Sequence, residues 1–282
     1  MARCVILTHP CPWNLILPLV ILMGVMLGMA IPAAAIVYGT IDGTGHPNVG
    51  STLFDFDEDG VLDQLCSGTL VSPTVYVTAS HCTEFFDFSE AGPGEVPVTF
   101  DPVIGTNPTI FWGTHHTNPE FGFSGPGGRS DPHDVAVVVF ATPIPGIAPA
   151  QLPTAGLLDQ LSESHELRDM RFTAVGYGAV RETKKAAYQS LLPSGERRYA
   201  DQEFLSLTEA WLNLSMNQST GNGGTCYGDS GGPHFLGAGA NETNIVVSVT
   251  VTGDRWCKAL DVTYRLDTDS ARSFLANYLT LP

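Results

Sequence analysis

The chain runs to 282 residues, enough for one large domain or two modest ones with a sizeable core. Only 15% of its residues are charged against 43% hydrophobic, which argues against disorder, and 30 glycines with 20 prolines suit a loop-rich β protein better than a helical bundle. Thirteen basic residues against 29 acidic ones leave a net charge of −16, which repels phosphate backbones and anionic membrane surfaces and excludes nucleic acid as a natural partner.

The first element in chain order is a leader. After Arg3 the sequence "WNLILPLVILMGVMLGMAIPAAA" carries no charge from Leu15 to Ala35 and ends on Ala33, Ala34 and Ala35, the pattern of a signal peptide over residues 1–35. Its removal predicts a secreted domain of residues 36–282 with no membrane attachment; the rival is an uncleaved anchor, because the apolar run is nearly long enough to cross a bilayer. Cys4 and Cys11 leave with the leader. The remaining four, Cys66, Cys82, Cys226 and Cys257, are an even number in an oxidising compartment, so disulfides are expected, although three pairings stay open. Zinc is the competing use of four cysteines, but the domain contains no Cys-x-x-Cys pair.

"DFDEDGVLD" (Asp55–Asp63) follows the first apolar run. Asp55, Asp57, Asp59 and Asp63 with Gly60 match the opening of a calcium loop, but the twelfth place, which needs a bidentate Glu, is Cys66. A hairpin turned on Asp-Gly explains the stretch with fewer assumptions. Strands are predicted at "TVYVTA" (Thr74–Ala79), "DVAVVVF" (Asp134–Phe140), "RFTAVGYG" (Arg171–Gly178) and "NIVVSVTVTG" (Asn244–Gly253), each bounded by Gly, Pro, Asn or Asp, which predicts an all-β barrel or sandwich. A short helix is predicted near Ala155–Ser164. A closing helix is predicted in "TDSARSFLANYL", with Phe274, Leu275, Tyr278 and Leu279 on one face and Asp267, Asp269 or Ser270 as N-cap. The sequons at Asn213, Asn217 and Asn241 matter only in a glycosylating host.

The chemistry concentrates in "TCYGDSGGPHF" (Thr225–Phe235), where Ser230 sits among glycines. A serine hydroxyl is a weak nucleophile until a base takes its proton, and the base needs a third group to orient it. Gly228 lets the backbone turn so that its N–H and that of Ser230 aim at one point, an oxyanion hole, while Gly231 and Gly232 admit close approach of another chain. His81 in "VTASHC" is the candidate base, at the end of a β run and beside a cysteine that pins the loop. The other histidines read as structural, His115 and His116 included, since adjacent strand residues point to opposite faces. Asp134 is the candidate third group because it leads straight into an apolar strand; Asp131, three residues earlier in a more polar loop, competes.

"CSGTLVSPTVYVTASHC", "DVAVVVF", "VGYG" and "CYGDSGGP", in that order, resemble the chymotrypsin and trypsin family of serine endopeptidases over essentially all of residues 36–282. The resemblance implies two six-stranded antiparallel β-barrels with the site between them and a C-terminal α-helix. It further implies His81 as general base, Asp134 as its orienting acid, Ser230 as nucleophile, and Gly228 with Ser230 as oxyanion donors. It selects the disulfides Cys66–Cys82 and Cys226–Cys257, and the lack of others common in vertebrate members points to a leaner, bacterial-type protein. No cofactor or metal is implied, and the expected protein is a monomer whose partner is a protein or peptide substrate.

"AAAIVYGT" then acquires a meaning, because in this family a freed N-terminal Ile-Val inserts and pairs with the acid before the nucleophile. Here that pair is Ile36 and Asp229, although Tyr38-Gly39 replaces the usual two glycines. The primary pocket is assigned to Gly224, Gly253 and Val262, and Gly224 stands where trypsin-like members carry an acid, so an apolar or small residue at the cleaved position is expected rather than Arg or Lys. Asp261 is the one acid able to reverse that preference by reaching the pocket. The functional alternative is a catalytically silent binding protein on the same fold.

Overall fold

The computed structural model describes residues 36–88, 94–122, 130–181 and 191–282. The leader of residues 1–35 and its Cys4 and Cys11 lie outside the described residues.

Twelve strands build two barrels. The first comprises β1 (Val49–Phe54), β2 (Asp63–Ser72), β3 (Val75–Thr78), β4 (Glu95–Thr99), β5 (Phe111–His116) and β6 (Ala136–Phe140), closed in the order β1-β2-β3-β6-β5-β4. The second comprises β7 (Arg171–Gly176), β8 (Arg198–Leu207), β9 (Trp211–Ser215), β10 (Pro233–Leu236), β11 (Val246–Gly253) and β12 (Leu260–Arg265). It closes as β7-β8-β9-β12-β11-β10, the same order repeated. All pairings within the barrels are antiparallel, and closure leaves neither sheet a free edge among these strands.

Strand periodicity explains why so many runs read as continuously apolar. On β3, Tyr76 turns into the first barrel with Leu70, Val96 and Val138, whereas Val75 and Val77 turn outward. There they meet Val137 of β6, Val175 of β7 and Val249 and Val251 of β11 in the cluster between the barrels. Both faces are therefore buried, so no polar alternation survives in the sequence. A fully buried Val or Leu is worth about 1.5–3 kcal/mol relative to an exposed one, which makes this shared layer the main cement of the molecule.

Three α-helices are described. α1 (Ser80–Phe88) leaves the end of β3; the sequence reading treats this stretch as a loop, but Cys82 and Phe86, four residues apart, both turn inward and give the segment a helical face. α2 (Leu157–Glu163) falls within the predicted Ala155–Ser164. α3 (Asp269–Leu275) is the closing helix, and its N-cap is Thr268, whose hydroxyl accepts the Ala271 N–H, rather than Asp267, Asp269 or Ser270. Asp267 is committed elsewhere, to Arg265 Nε at 2.9 Å and the Leu158 N–H at 2.8 Å. Phe274 and Leu275 pack into the inter-barrel cluster, and Tyr278 and Leu279 follow them beyond the helix end.

Asp55–Asp63 is the tip of the β1–β2 hairpin. Asp55 accepts the N–H groups of Asp59 (3.1 Å) and Gly60 (2.9 Å), and Asp59 accepts that of Val61 (2.8 Å). The carboxylates of Asp55, Asp57 and Asp59 come within 4.8 Å of one another, but both Asp55 oxygens already serve the turn.

Candidate active site

His81 is the second residue of α1. Its Nδ1 lies 2.8 Å from Asp134 Oδ2, and its backbone N–H donates to Asp134 Oδ1 at 3.0 Å. Asp134 is wholly buried, and two donors from one residue are what makes an interior carboxylate tolerable. The chain is aimed there by His133, at φ 56°, with the Val135 N–H closing back on the His133 carbonyl at 2.9 Å. Ser80 fastens the junction by donating to the Val135 carbonyl at 2.8 Å. Burial works against an imidazolium at 81, but the Asp134 carboxylate outweighs it and raises the His81 pKa above its ordinary value. The side chain remains 28% exposed, and with Nδ1 engaged, Nε2 is the ring nitrogen left for chemistry. Asp131 has other partners: it accepts the Tyr264 hydroxyl at 2.9 Å and the His133 N–H at 2.9 Å.

Ser230 comes from the second barrel and is held against the first. Its carbonyl accepts the Ser67 N–H at 2.8 Å, and the preceding Gly228 carbonyl accepts Gln64 Nε2 (2.7 Å) and Ser67 Oγ (3.1 Å), both on β2. Gly231 lies against the residues that lead into His81, so close that a Cβ there would sit 2.1 Å from Thr78 Oγ1 and 2.7 Å from the Ala79 nitrogen. No side chain fits, and φ is 76°. No hydrogen bond joins the Ser230 hydroxyl to the His81 ring among the described residues; such contacts often tighten only when substrate binds. The backbone donors of the loop divide in an informative way. Asp229, Gly231 and Gly232 donate to the carbonyls of Cys226, Thr250 and Asp229, whereas the N–H groups of Gly228 and Ser230 have no protein acceptor among the described residues.

Asp229 points away from Ser230 into the interior. Its oxygens accept the N–H groups of Gly178 (2.7 Å) and Cys226 (2.8 Å), and a Cβ on Gly176 or Gly178 would fall within 2.4 Å of its carboxylate, so "VGYG" is the backbone that makes room for it. Burial pushes this carboxyl up to about 7 despite those donors. Ile36 is also buried, against Ala174 and Ala200, with φ 42°, a strained value for a β-branched residue. Val37 next to it bridges to Gly224, whose N–H donates to the Val37 carbonyl at 3.0 Å.

A cavity of about 140 Å³ opens beside Ser230. Its lining includes Met216, Cys226, Val251, Gly253 and Asp254. Of the three residues expected to form it, Gly253 does so, while Gly224 and Val262 are not in the lining. Gly224 lies behind Met216, whose Sδ would be 2.4 Å from a Cβ at 224. Val262 pairs with Asn213 and Thr252 on the outer face of β12. Met216 itself escaped the sequence reading, since nothing local marks a methionine at the end of β9 as a pocket residue. Asp261 does not reach the cavity: it is buried, and its Oδ2 takes hydrogen bonds from Gln202 Nε2 (2.8 Å) and His234 Nε2 (3.0 Å). Asp254 at the rim accepts four backbone N–H groups of its own turn, which hold its pKa below the usual carboxylate range against burial.

The disulfides are Cys66–Cys82, beside His81, and Cys226–Cys257, in the cavity wall, each worth on the order of 3 kcal/mol in the loop-entropy account. Among the remaining histidines, His115 turns inward to Asp87 at 2.8 Å and His116 lies tilted against Tyr278 at 4.9 Å between ring centres, so the two do not converge.

The Trypsin family model matches residues 52–265, from within β1 to the end of β12. Among solved structures, HL collagenase aligns with a TM-score of 0.60 at 15% identity, over 86% of this chain and 98% of that one, a likeness of fold. With two barrels of repeated topology and a family match spanning both, the chain belongs to the trypsin family and is a serine endopeptidase.

Proposed function

We propose that His81, Asp134 and Ser230 are the catalytic triad of a secreted enzyme. Ser230 Oγ attacks the scissile carbonyl as His81 Nε2 takes its proton, and Asp134 fixes the tautomer and stabilises the imidazolium. The tetrahedral oxyanion is received by the N–H groups of Gly228 and Ser230. His81 then protonates the leaving amine, and water hydrolyses the acyl-enzyme by the same route in reverse. The observation that carries this reading is the double grip of buried Asp134 on His81, at 2.8 and 3.0 Å.

A fluorophosphonate probe tests it, because the probe needs an activated serine and an oxyanion hole but no particular substrate. The wild-type chain labels at Ser230, and Ser230→Ala and His81→Ala do not; equal labelling of His81→Ala, or none of the wild type, overturns the assignment and favours a silent binding protein.

The cavity is small and bounded by Met216 and Val251, Asp261 is turned away from it, and Asp254 at its rim is engaged by four N–H groups of its own turn, which supports cleavage after a small or apolar residue rather than after Arg or Lys. A peptide-library cleavage profile reads this directly. Cleavage after Ala35 removes the leader and frees Ile36, whose α-ammonium supplies buried Asp229 with a cation. It also releases the φ strain of Ile36, since that torsion exists only while residue 35 is attached.

A further inference from the structure

A second concavity, of about 380 Å³, lies on the first barrel between the β1–β2 hairpin, α1 and the β4–β5 ladder. Its walls are aromatic. Phe54 stacks edge-on against Phe56 (5.2 Å between ring centres) and Phe86 (6.0 Å), and Trp112 flanks Pro97 across the ladder. Phe56 is 52% and Trp112 54% exposed, a cost in water that a packed partner would relieve. Three carboxylates, Asp55, Glu58 and Glu95, share the lining, and among the described residues no Lys, Arg or His does.

The position matters as much as the chemistry. Phe86 lies five residues beyond His81 on α1, about 8 Å along the helix axis. The hairpin is tied to the nucleophile loop through Gln64 and the Gly228 carbonyl. The cavity beside Ser230 is walled by residues of the second barrel and this groove by residues of the first, so an extended chain that seats the residue before the scissile bond in the cavity and crosses Ser230 toward His81 runs toward the groove with its leaving-group segment.

On the endopeptidase reading above, we propose that the groove is a second substrate-binding surface. It takes the leaving-group segment of the polypeptide, carrying a large apolar side chain flanked by lysine or arginine. The apolar side chain lies between Trp112 and the phenylalanine stack, and the cations meet Glu58, Glu95 and the hairpin acids.

The test separates binding from turnover. The full chain carrying Ser230→Ala is titrated calorimetrically with a twelve-residue peptide alternating Leu or Phe with Lys or Arg, and with the same peptide bearing Glu at each basic place. Trp112→Ala, and Glu58→Lys with Glu95→Lys, alter exposed side chains only; each is expected to weaken the basic peptide on the order of tenfold. The acidic peptide is expected to bind more weakly still. On the active chain the same variants leave a short chromogenic amide, with nothing beyond the scissile bond, within about twofold of wild type. Unchanged binding in both variants, or equal binding of both peptides, overturns the proposal even if Ser230 labels. Charge-selective binding without any labelling keeps the surface and removes the endopeptidase reading. A dimer that Trp112→Ala dissolves assigns the groove to a second copy and overturns the proposal.

Discussion

Asp229 offers a prediction whose sign reverses with the state of the N-terminus. Its carboxyl is wholly buried, and burial lifts its pKa from 3.8 to about 7. While residue 36 is still joined to residue 35, the folded chain therefore holds a proton that the unfolded chain releases near pH 4. The folded state binds more protons over this window, so the stability drawn from the group is full at low pH and declines as pH rises from about 4 to about 7. At 1.36 kcal/mol per tenfold, the loss is about 4 kcal/mol. In a chain beginning at Ile36, an α-ammonium with pKa about 8 pairs with the carboxylate, and the decline moves above that pH. Two chains carrying Ser230→Ala, one intact across residues 35–36 and one beginning at Ile36, are unfolded in urea from pH 4 to 8, each beside its Asp229→Asn counterpart. In the intact chain the substitution is expected to be neutral near pH 4 and stabilising by up to about 4 kcal/mol at pH 8. In the chain beginning at Ile36 it is expected to cost about 3–5 kcal/mol at pH 7, the penalty for leaving a buried charge unpaired. Effects of the same sign and size in both chains would refute the pairing.

His46 bridges Asp42 and Glu242, and although burial lowers its pKa, hydrogen bonds to both carboxylates prevail and raise it to about 9. The stability it supplies is full below about pH 6.5 and lost as pH rises through 9, roughly 3 kcal/mol, so His46→Gln should flatten that limb of the unfolding profile; parallel profiles would count against it. Asp261→Ala strips Gln202 and His234 of their shared acceptor in the interior and is expected to cost about 3–5 kcal/mol in urea unfolding; an unchanged midpoint would contradict the hydrogen-bond assignment. Asp261→Asn, by the same geometry, should leave the frequency of cleavage after Arg or Lys unaltered, and a fall would place that carboxylate in the pocket.

What the sequence made legible was chemistry carried by near neighbours. Ser230 among its glycines, His81 beside Cys82 and Asp134 at the head of an apolar strand are local patterns. The two six-stranded barrels came from the ordered motifs rather than from periodicity, because β3 and β6 are buried on both faces and show no alternation. The α1 helix went unread because it is short and its only helical mark is the inward pair Cys82 and Phe86. Thr268 displaced three equally reasonable caps because Arg265 and Leu158, distant in the chain, had already claimed Asp267.

By itself, then, the sequence determined which residue types are available for acyl transfer, that four of the strands and a closing helix form where they do to within a few residues, and that four cysteines would be oxidised. Only the tertiary structure decided that Met216 rather than Gly224 faces the cavity, that Asp261 turns inward, and that an acid-rimmed aromatic groove adjoins the site. The physical reason is that propensity and motif act along a few consecutive residues, whereas a cavity wall is assembled from strands far apart in the chain. Which side chain reaches it depends on register and on which partners satisfy the buried polar groups behind it.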